Sequence, residues 1–340
     1  MKNKILKLFN EEYVIDLFKK EVLHLYPDFC DIKKIIIKAP KKYIWEKTYH
    51  VVAEFRTSFV TKDKRIVKIP IYCSAHSDEP RKNVYTALKF LWDHGFGKSF
   101  LTIPRPLFYS EYFCGIFYRG AEGHNLYEFI RTENYGEIEK TIPLAAKWFA
   151  KLHNTSIKDA INFNKENSRL KTVIPGEKHI LETVKRNYSK HYDFYKKAYE
   201  IFINNEEVFL ASTNQRWLIH GDAHPENIIK ISKKKIAVID FTDLCLSDVA
   251  RDLGTFIEQL DFMMMRKINN KKYSEKMKNI FLENYFKNAK IELDDNLQKR
   301  IDNYLNWTKV RTATFFLLKD NAEPERALPL IRQVKKNLNI

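Results

Sequence analysis

His220-Gly221-Asp222-Ala223-His224-Pro225-Glu226-Asn227, followed by the apolar run Ile236-Ala237-Val238-Ile239 and the acid Asp240, decides the reading of this 340-residue chain. Four residues separate Asp222 from Asn227, and Asp240 closes a strand-like run that starts after the basic turn Lys233-Lys234-Lys235. An acid, an amide and a strand-borne acid in this order suit phosphoryl transfer from a nucleotide. One carboxylate orients an attacking hydroxyl and takes its proton. The amide oxygen and the second carboxylate hold Mg²⁺, whose remaining shell comes from phosphates.

Each of these residues also has a plainer reading. Asp222 could be a surface acid in a turn, and Asn227 a turn residue. Asp240 could simply end a buried strand, but an unpaired buried acid is costly, so a cationic partner is expected there. His220 reads as a structural histidine that orders the loop, and His224 as an exposed one. Asp243 either approaches the metal or caps a turn. Asp248 and Asp252 read as caps or braces for the helix beginning near Ala250. In the first third of the chain, Lys68 lies mid-strand in Arg65-Ile66-Val67-Lys68-Ile69, on the face opposite Val67 and Ile69. It is the candidate to grip nucleotide phosphates, with a solvated strand lysine as the alternative.

Outward from the motif, composition sets bounds. With 44% hydrophobic residues the chain folds, and its length allows two lobes with separate cores. The net charge of +16 fits either an anionic partner or lysines spread over solvated helix faces. No Arg-rich arm or nucleic-acid motif appears, so nucleic acid is not the expected partner. Cys30, Cys73, Cys114 and Cys245 have neither metal-ligand nor disulfide-scaffold spacing, which fits a reducing, cytoplasmic setting. Glu11, Glu12 and Asp16 interrupt the N-terminal apolar pattern of Ile5, Leu6, Phe9, Val14, Leu17 and Phe18. An amphipathic helix fits that segment, and no transmembrane segment is expected.

Strand patterns occupy Ile35–Ile37, Val51–Phe59 and Ile66–Ile71, with a turn at Thr61–Lys64. A helix follows, capped by Ser77 or Asp78, with Pro80 in its first turn and Gly95 at its end. Two more strands near Leu107–Ser110 and Ile116–Tyr118 make an antiparallel sheet of about five strands. Past residues 119–124 helical patterns dominate, notably Ile138–His153, Lys178–Glu206 and Asp248 onward. The expected fold class is α+β and bilobal. Residues 1–27 form an N-terminal helical extension, 28–122 a small antiparallel-sheet N-lobe that binds nucleotide, and 123–340 a larger, mainly helical C-lobe for catalysis and substrate.

His220-Gly221-Asp222 with Asn227, then Ile239-Asp240-Phe241, resembles the signature of the aminoglycoside phosphotransferase and choline kinase superfamily. Pro104-Arg105-Pro106, Gly123-His124-Asn125-Leu126, Leu152-His153 and Asp252-Leu253 are similar to weaker features of its pattern. The resemblance implies a protein-kinase-like fold with ATP or GTP between the lobes, Asp222 as catalytic base, and Asn227 and Asp240 as Mg²⁺ ligands. It places Lys68 at the strand lysine, and Tyr118, Arg119, Gly120 and Ala121 at the adenine-contacting hinge. Two departures stand out. The stretch Pro40–Lys47, where a phosphate-covering loop is expected, has no glycine, so Lys41, Lys42 or Lys47 would have to supply charge. Asn83-Val84 stands where a glutamate should pair the strand lysine, and Glu79 is the nearest acid.

These features point to a Mg²⁺-dependent kinase acting on a small hydroxyl-bearing substrate. Relatives of this kind act on aminoglycosides, macrolides, choline, sugars and amino-alcohols, so the acceptor stays open. Glu258 and Asp261 could line an acidic acceptor pocket or form a solvated face, and the basic chain disfavours a polycationic acceptor. The alternative is a nucleotide-binding pseudokinase-like protein whose basic surface holds RNA or another acidic partner. A protein kinase fits poorly, because Thr242–Asp252 runs straight into a helix without a peptide platform.

Overall fold

The structure, a computed structural model, describes residues 3–79 and 81–340. In chain order its first elements are α1 (Glu11–Glu21), β1 (Phe29–Ile44), β2 (Tyr49–Thr61), β3 (Ile66–His76), α2 (Lys82–Leu91), β4 (Leu101–Thr102), β5 (Arg105–Ser110) and β6 (Gly115–Arg119). Then come β7 (His124–Asn125), α3 (Leu126–Arg131), α4 (Tyr135–His153), α5 (Glu177–Asn187), α6 (Tyr192–Ser212), β8 (Trp217–Ile219), β9 (Ile228–Ser232), β10 (Lys235–Val238) and β11 (Cys245–Ser247). Four helices finish the chain: α7 (Val249–Lys267), α8 (Lys271–Asn288), α9 (Asp295–Leu318) and α10 (Pro324–Leu338). The fold is mixed α+β, with an antiparallel-sheet N-terminal part and a helical C-terminal part. No helix among the described residues is long and apolar enough to cross a membrane.

Two compact units result. One runs up to His124 and includes Ile229–Thr242; the other comprises Asn125–Ile228 and Asp243–Ile340. The first is built on an antiparallel sheet in the order β1-β2-β3-β6-β5. Strand alternation divides its residues cleanly. Val51, Ala53 and Phe55 of β2, Ile69, Ile71 and Cys73 of β3, and Phe117 of β6 are buried on one face. That face is covered by the N-terminal segment: Ile5, Leu8, Val14 and Phe18 are fully buried in the same core, and the Phe18 ring meets Phe55 at 5.3 Å and Phe117 at 6.0 Å. The expected extension is therefore part of the core. The other sheet face carries Val52, Tyr72, Ser74, Ile116 and Tyr118, which line a cavity.

Local chemistry sets the connections. At the β2–β3 turn Lys64 takes φ +63°, and the Thr61 hydroxyl accepts from the Arg65 N–H at 2.9 Å. Helix α2 begins later than its expected caps. Arg81 occupies the N-cap position without a side-chain cap, while the Ser77 hydroxyl accepts from the Tyr49 N–H at 3.1 Å. Pro80, expected in the first turn, lies outside the described residues. Gly95, at φ +93°, lies where the helical path breaks down beyond α2. Strand β10 runs parallel to β4, pairing Ile236 with Leu101 and Ala237 with Thr102, in a sheet ordered β4-β10-β9-β7.

In the second unit α7 packs on α8 and α9, and α4 on α8. Phe256 stacks on Phe281 at 4.3 Å in this core. The stretch read as one helix over Lys178–Glu206 is two, because the chain leaves helical geometry at Tyr188.

Candidate active site

Strand β8 delivers the chain to His220, and β11 pairs with it antiparallel through Cys245–Ile219 and Ser247–Trp217. The loop that follows is anchored by α7. The Asp252 carboxylate accepts from the backbone N–H of His220 at 2.7 Å and of Gly221 at 2.9 Å, and lies 3.0 Å from Nε2 of His153. His153 Nδ1 meets the Tyr285 hydroxyl at 2.8 Å, so four elements fix this one loop. Burial alone would raise the Asp252 carboxyl, but His153, His220 and the Gly221 N–H outweigh it and hold the group below its usual range. One residue earlier on α7, the fully buried Arg251 donates to the Asn167 and Gly221 carbonyls. Gly221 has φ +81°, and a Cβ there would stand 2.3 Å from the Asp243 carbonyl oxygen. Only glycine fits that position.

This scaffold presents Asp222. Its carboxylate lies 3.3 Å from Nε2 of His224, and His224 Nδ1 lies 3.8 Å from Glu226. Burial pushes the Asp222 carboxyl up. The His224 hydrogen bond and charge, with Arg311 and His220, pull it down further and leave it well below the usual carboxylate range. Asp222 is therefore ionised at neutral pH. Asn227 is buried, and its Nδ2 donates to the Asp222 carbonyl at 3.0 Å and meets His224 Nε2 at 3.1 Å. The amide nitrogen is thus committed, which leaves Oδ1 as the atom able to ligate a cation. The structure brings Asp222, His224 and Asn227 together. His224, expected to be exposed, has a side chain only 20% exposed and wedged among them.

In the first unit, a cavity of about 350 Å³ is walled by Leu88, Pro104, Ile116 and Ile239, with Tyr118, Gly120 and Ala121 along one side. Tyr72 and Tyr118 stack at 5.8 Å, and a Cβ on Gly120 would stand 2.3 Å from the Tyr72 ring. Asp240 is the only carboxylate lining this cavity among the described residues. It is exposed, at φ +63°, and its Oδ1 accepts from the Thr242 hydroxyl at 2.8 Å. The expectation of a buried acid needing a cation is corrected here. Its backbone lies in the left-handed region, which an aspartate tolerates. Burial and the Asp240 charge push the Tyr118 hydroxyl well up.

Three expected nucleotide contacts are placed differently. Lys68 shares the inner face of β3 with Tyr72 and Ser74 but pairs with Ser58 near the β2–β3 turn, exposed and outside the cavity. Arg119 alternates away from Tyr118 and lines a separate hollow with Trp92 and Lys235. The glycine-free Pro40–Lys47 stretch forms no loop over the cavity. The β1–β2 pairing continues to Ile44–Tyr49, and Lys41 and Lys42 lie against the Tyr43 and Phe9 rings.

The cation that lines the cavity is Arg81, which sequence reasoning missed. Its side chain is 11% exposed, its Nε has no hydrogen-bond partner among the described residues, and Nη1 lies 3.5 Å from Glu79. Val84 and Leu88 continue its line along α2 into the cavity, so hydrophobic spacing from Arg81 was the available signal. Glu79 pairs with Arg81, not with Lys68.

A second cavity, about 410 Å³, lies within the second unit. Asp222, His224 and Glu226 form one part of its wall, and α7, α9 and α10 the rest. Neither Glu258 nor Asp261 lines it. Glu258 is 1% exposed, while Asp261 accepts from the Ser274 hydroxyl at 2.6 Å and pairs with Lys278.

A model of a phosphotransferase enzyme family matches residues 47–268. No curated protein sequence matches the chain. Among solved structures, a spectinomycin phosphotransferase, in complex with ADP and spectinomycin, superposes with a TM-score of 0.54 at 14% identity over 96% of this chain and 94% of that one. A Plasmodium vivax ethanolamine kinase gives 0.55 at 14% identity over 88% and 81%. A macrolide 2'-phosphotransferase from Brachybacterium faecium gives 0.51 at 13% over 95% and 97%. At such identities the likeness shows the fold, which is kinase-like. The family match spans more than half of the chain and includes the whole Asp222–Asp240 motif, so this chain belongs to the phosphotransferase enzyme family.

Proposed function

We propose that this small-molecule phosphotransferase moves the γ-phosphoryl group of ATP, or GTP, to a hydroxyl in a Mg²⁺-dependent reaction. The observation that carries this reading is the Asp222–His224–Asn227 cluster, an ionised carboxylate beside an amide whose nitrogen is already engaged. The acceptor oxygen forms a bond to the γ-phosphorus while the bond from that phosphorus to the β–γ bridging oxygen breaks, and the nucleoside diphosphate leaves. The acceptor's proton passes to Asp222 and then to solvent. A carboxylate this acidic is a weak base, so Asp222 chiefly orients the hydroxyl and accepts the proton late.

Asn227 Oδ1 in the second unit and the Asp240 carboxylate in the first are each hard oxygen donors, the kind Mg²⁺ takes alongside nucleotide phosphates. When bound, the ion neutralises charge that builds on the phosphates. The apolar walls beside Tyr118, Gly120 and Ala121 suit a purine ring. Arg81, largely buried and only loosely paired, suits the phosphates in the role assigned by resemblance to Lys68. The test is nucleoside diphosphate release with Mg²⁺-ATP, with and without hydroxyl compounds. Asp222→Asn should lower turnover at least about 100-fold while nucleotide still binds. Unchanged turnover in that variant would overturn the role of Asp222.

A further inference from the structure

The cavity that Asp222 shares with α7, α9 and α10 is lined by Arg266, Arg311, Lys319 and Arg326, against only two carboxylates, Asp222 and Glu226. Asp222 is engaged by His224, and Glu226 lies beside the same ring. Lys319 and Arg326 both bond to Glu323, so one carboxylate serves two cations. Nη2 of Arg326 is buried without a hydrogen-bond partner among the described residues. Arg266 and Arg311 have no ion pair among the described residues.

The guanidiniums are also oriented. Arg311 lies over the Trp307 ring at 4.8 Å, and Arg326 over Phe316 at 3.7 Å. A stacked guanidinium keeps its flat face on the ring and leaves its N–H edge for a bidentate anion. Tyr127, Phe262 and Phe315 add apolar surface suited to the carbon face of a sugar ring. Arg311, Lys319 and Arg326 lie beyond residue 268, outside the stretch matched by the family.

We propose that the acceptor is an anionic hydroxyl compound of sugar size, a sugar acid or sugar phosphate, whose carboxylate or phosphate is held by Arg311 and Arg266. The proposal rests on the phosphotransfer reading, since it places the acceptor's hydroxyl at Asp222 in the same cavity. A polycationic acceptor would meet four cations against the two carboxylates of the lining and Glu323. A neutral one would leave Arg266 and the buried Nη2 of Arg326 unanswered.

The test is calorimetry on the full chain saturated with Mg²⁺ and a non-hydrolysable ATP analogue. The probes are glucuronate, glucose 6-phosphate, glucose and neomycin. At least one anion should bind roughly tenfold or more tightly than glucose, the scale of one charge-assisted contact. The glucuronate and glucose 6-phosphate arms tell carboxylate from phosphate. In Arg266→Gln/Arg311→Gln the preference should vanish, and Arg311→Lys should retain part of it, with circular dichroism confirming the fold of each. Glucose binding as tightly as both anions, or neomycin binding more tightly than either, overturns the proposal, as does no detectable binding of either anion. An intact anion preference without any acceptor-dependent diphosphate release would instead overturn the phosphotransfer reading.

Discussion

Arg81 and Lys68 show what a residue's position adds to its type. Alternation along β3 was legible, and it put Lys68 on the correct inner face. Position along the strand was not legible, because it depends on pairing with β2 and β6, where Tyr72 sits opposite Tyr118 and Lys68 opposite Ser58. Lys68 and Tyr72 are four residue steps apart along the strand, roughly 13 Å. Asp222 and Asn227 were legible because their spacing lies within one short loop. His224 was not, because its contacts depend on how that loop is held. A pair of substitutions follows. Arg81→Met should weaken Mg²⁺-ATP binding about 10- to 100-fold, the loss of one charged contact to phosphate. Lys68→Met should change it less than about twofold. Equilibrium titration of both variants decides, and a larger loss in Lys68→Met would return the phosphate role to the strand lysine.

Helix α7 concentrates the site on a single element. Asp248 caps its N-terminus, Arg251 and Asp252 hold the loop before Asp222, and Thr255 and Gln259 line the same cavity as Asp222. The sequence showed a helix there, and Asp252 read as a brace. Its target, two loop amides 31 and 32 residues earlier, required the fold. The same helix buries Glu258, whose Oε1 has no hydrogen-bond partner among the described residues. Burial, only partly offset by Lys309 and the Gln259 amide, pushes this carboxyl up from its ordinary 4.5 to about 7. A raised carboxyl favours the protonated folded state. Its contribution is fully present below about pH 4.5 and is lost as pH rises towards 7. The linked loss is on the order of 3 kcal/mol. Urea unfolding at pH 5 and pH 8 should show that drop in the natural chain, and Glu258→Gln should show a much flatter pH dependence over this window. An identical slope in the variant would remove Glu258 as its source.

For the whole molecule, fold class was legible because the two halves differ in hydrophobic period, two in the sheet and near 3.6 beyond residue 124. Less legible was which segments belong to which unit. Ile229–Thr242 follows the Asp222–Asn227 loop in sequence yet belongs with the sheet-bearing unit, since β10 pairs with β4. The N-terminal segment read only as an amphipathic helix, because its partners lie on β2 and β6. The family match begins at residue 47, so residues before it look dispensable by homology. Packing says otherwise. Phe18 is fully buried between Phe55 and Phe117, on the sheet face opposite the cavity lined by Tyr72 and Tyr118. Truncating it leaves a cavity that the regular sheet cannot collapse to fill. Phe18→Ala should therefore cost about 3–5 kcal/mol, read as a lowered denaturation midpoint and faster hydrogen exchange at the β2 and β3 amides. Exchange in α7 and α9 of the second unit should change less, because their core contains none of these rings. Equal loss of protection in both units would show that the chain unfolds as one cooperative body, and a loss under about 1 kcal/mol would show that the segment only decorates the sheet.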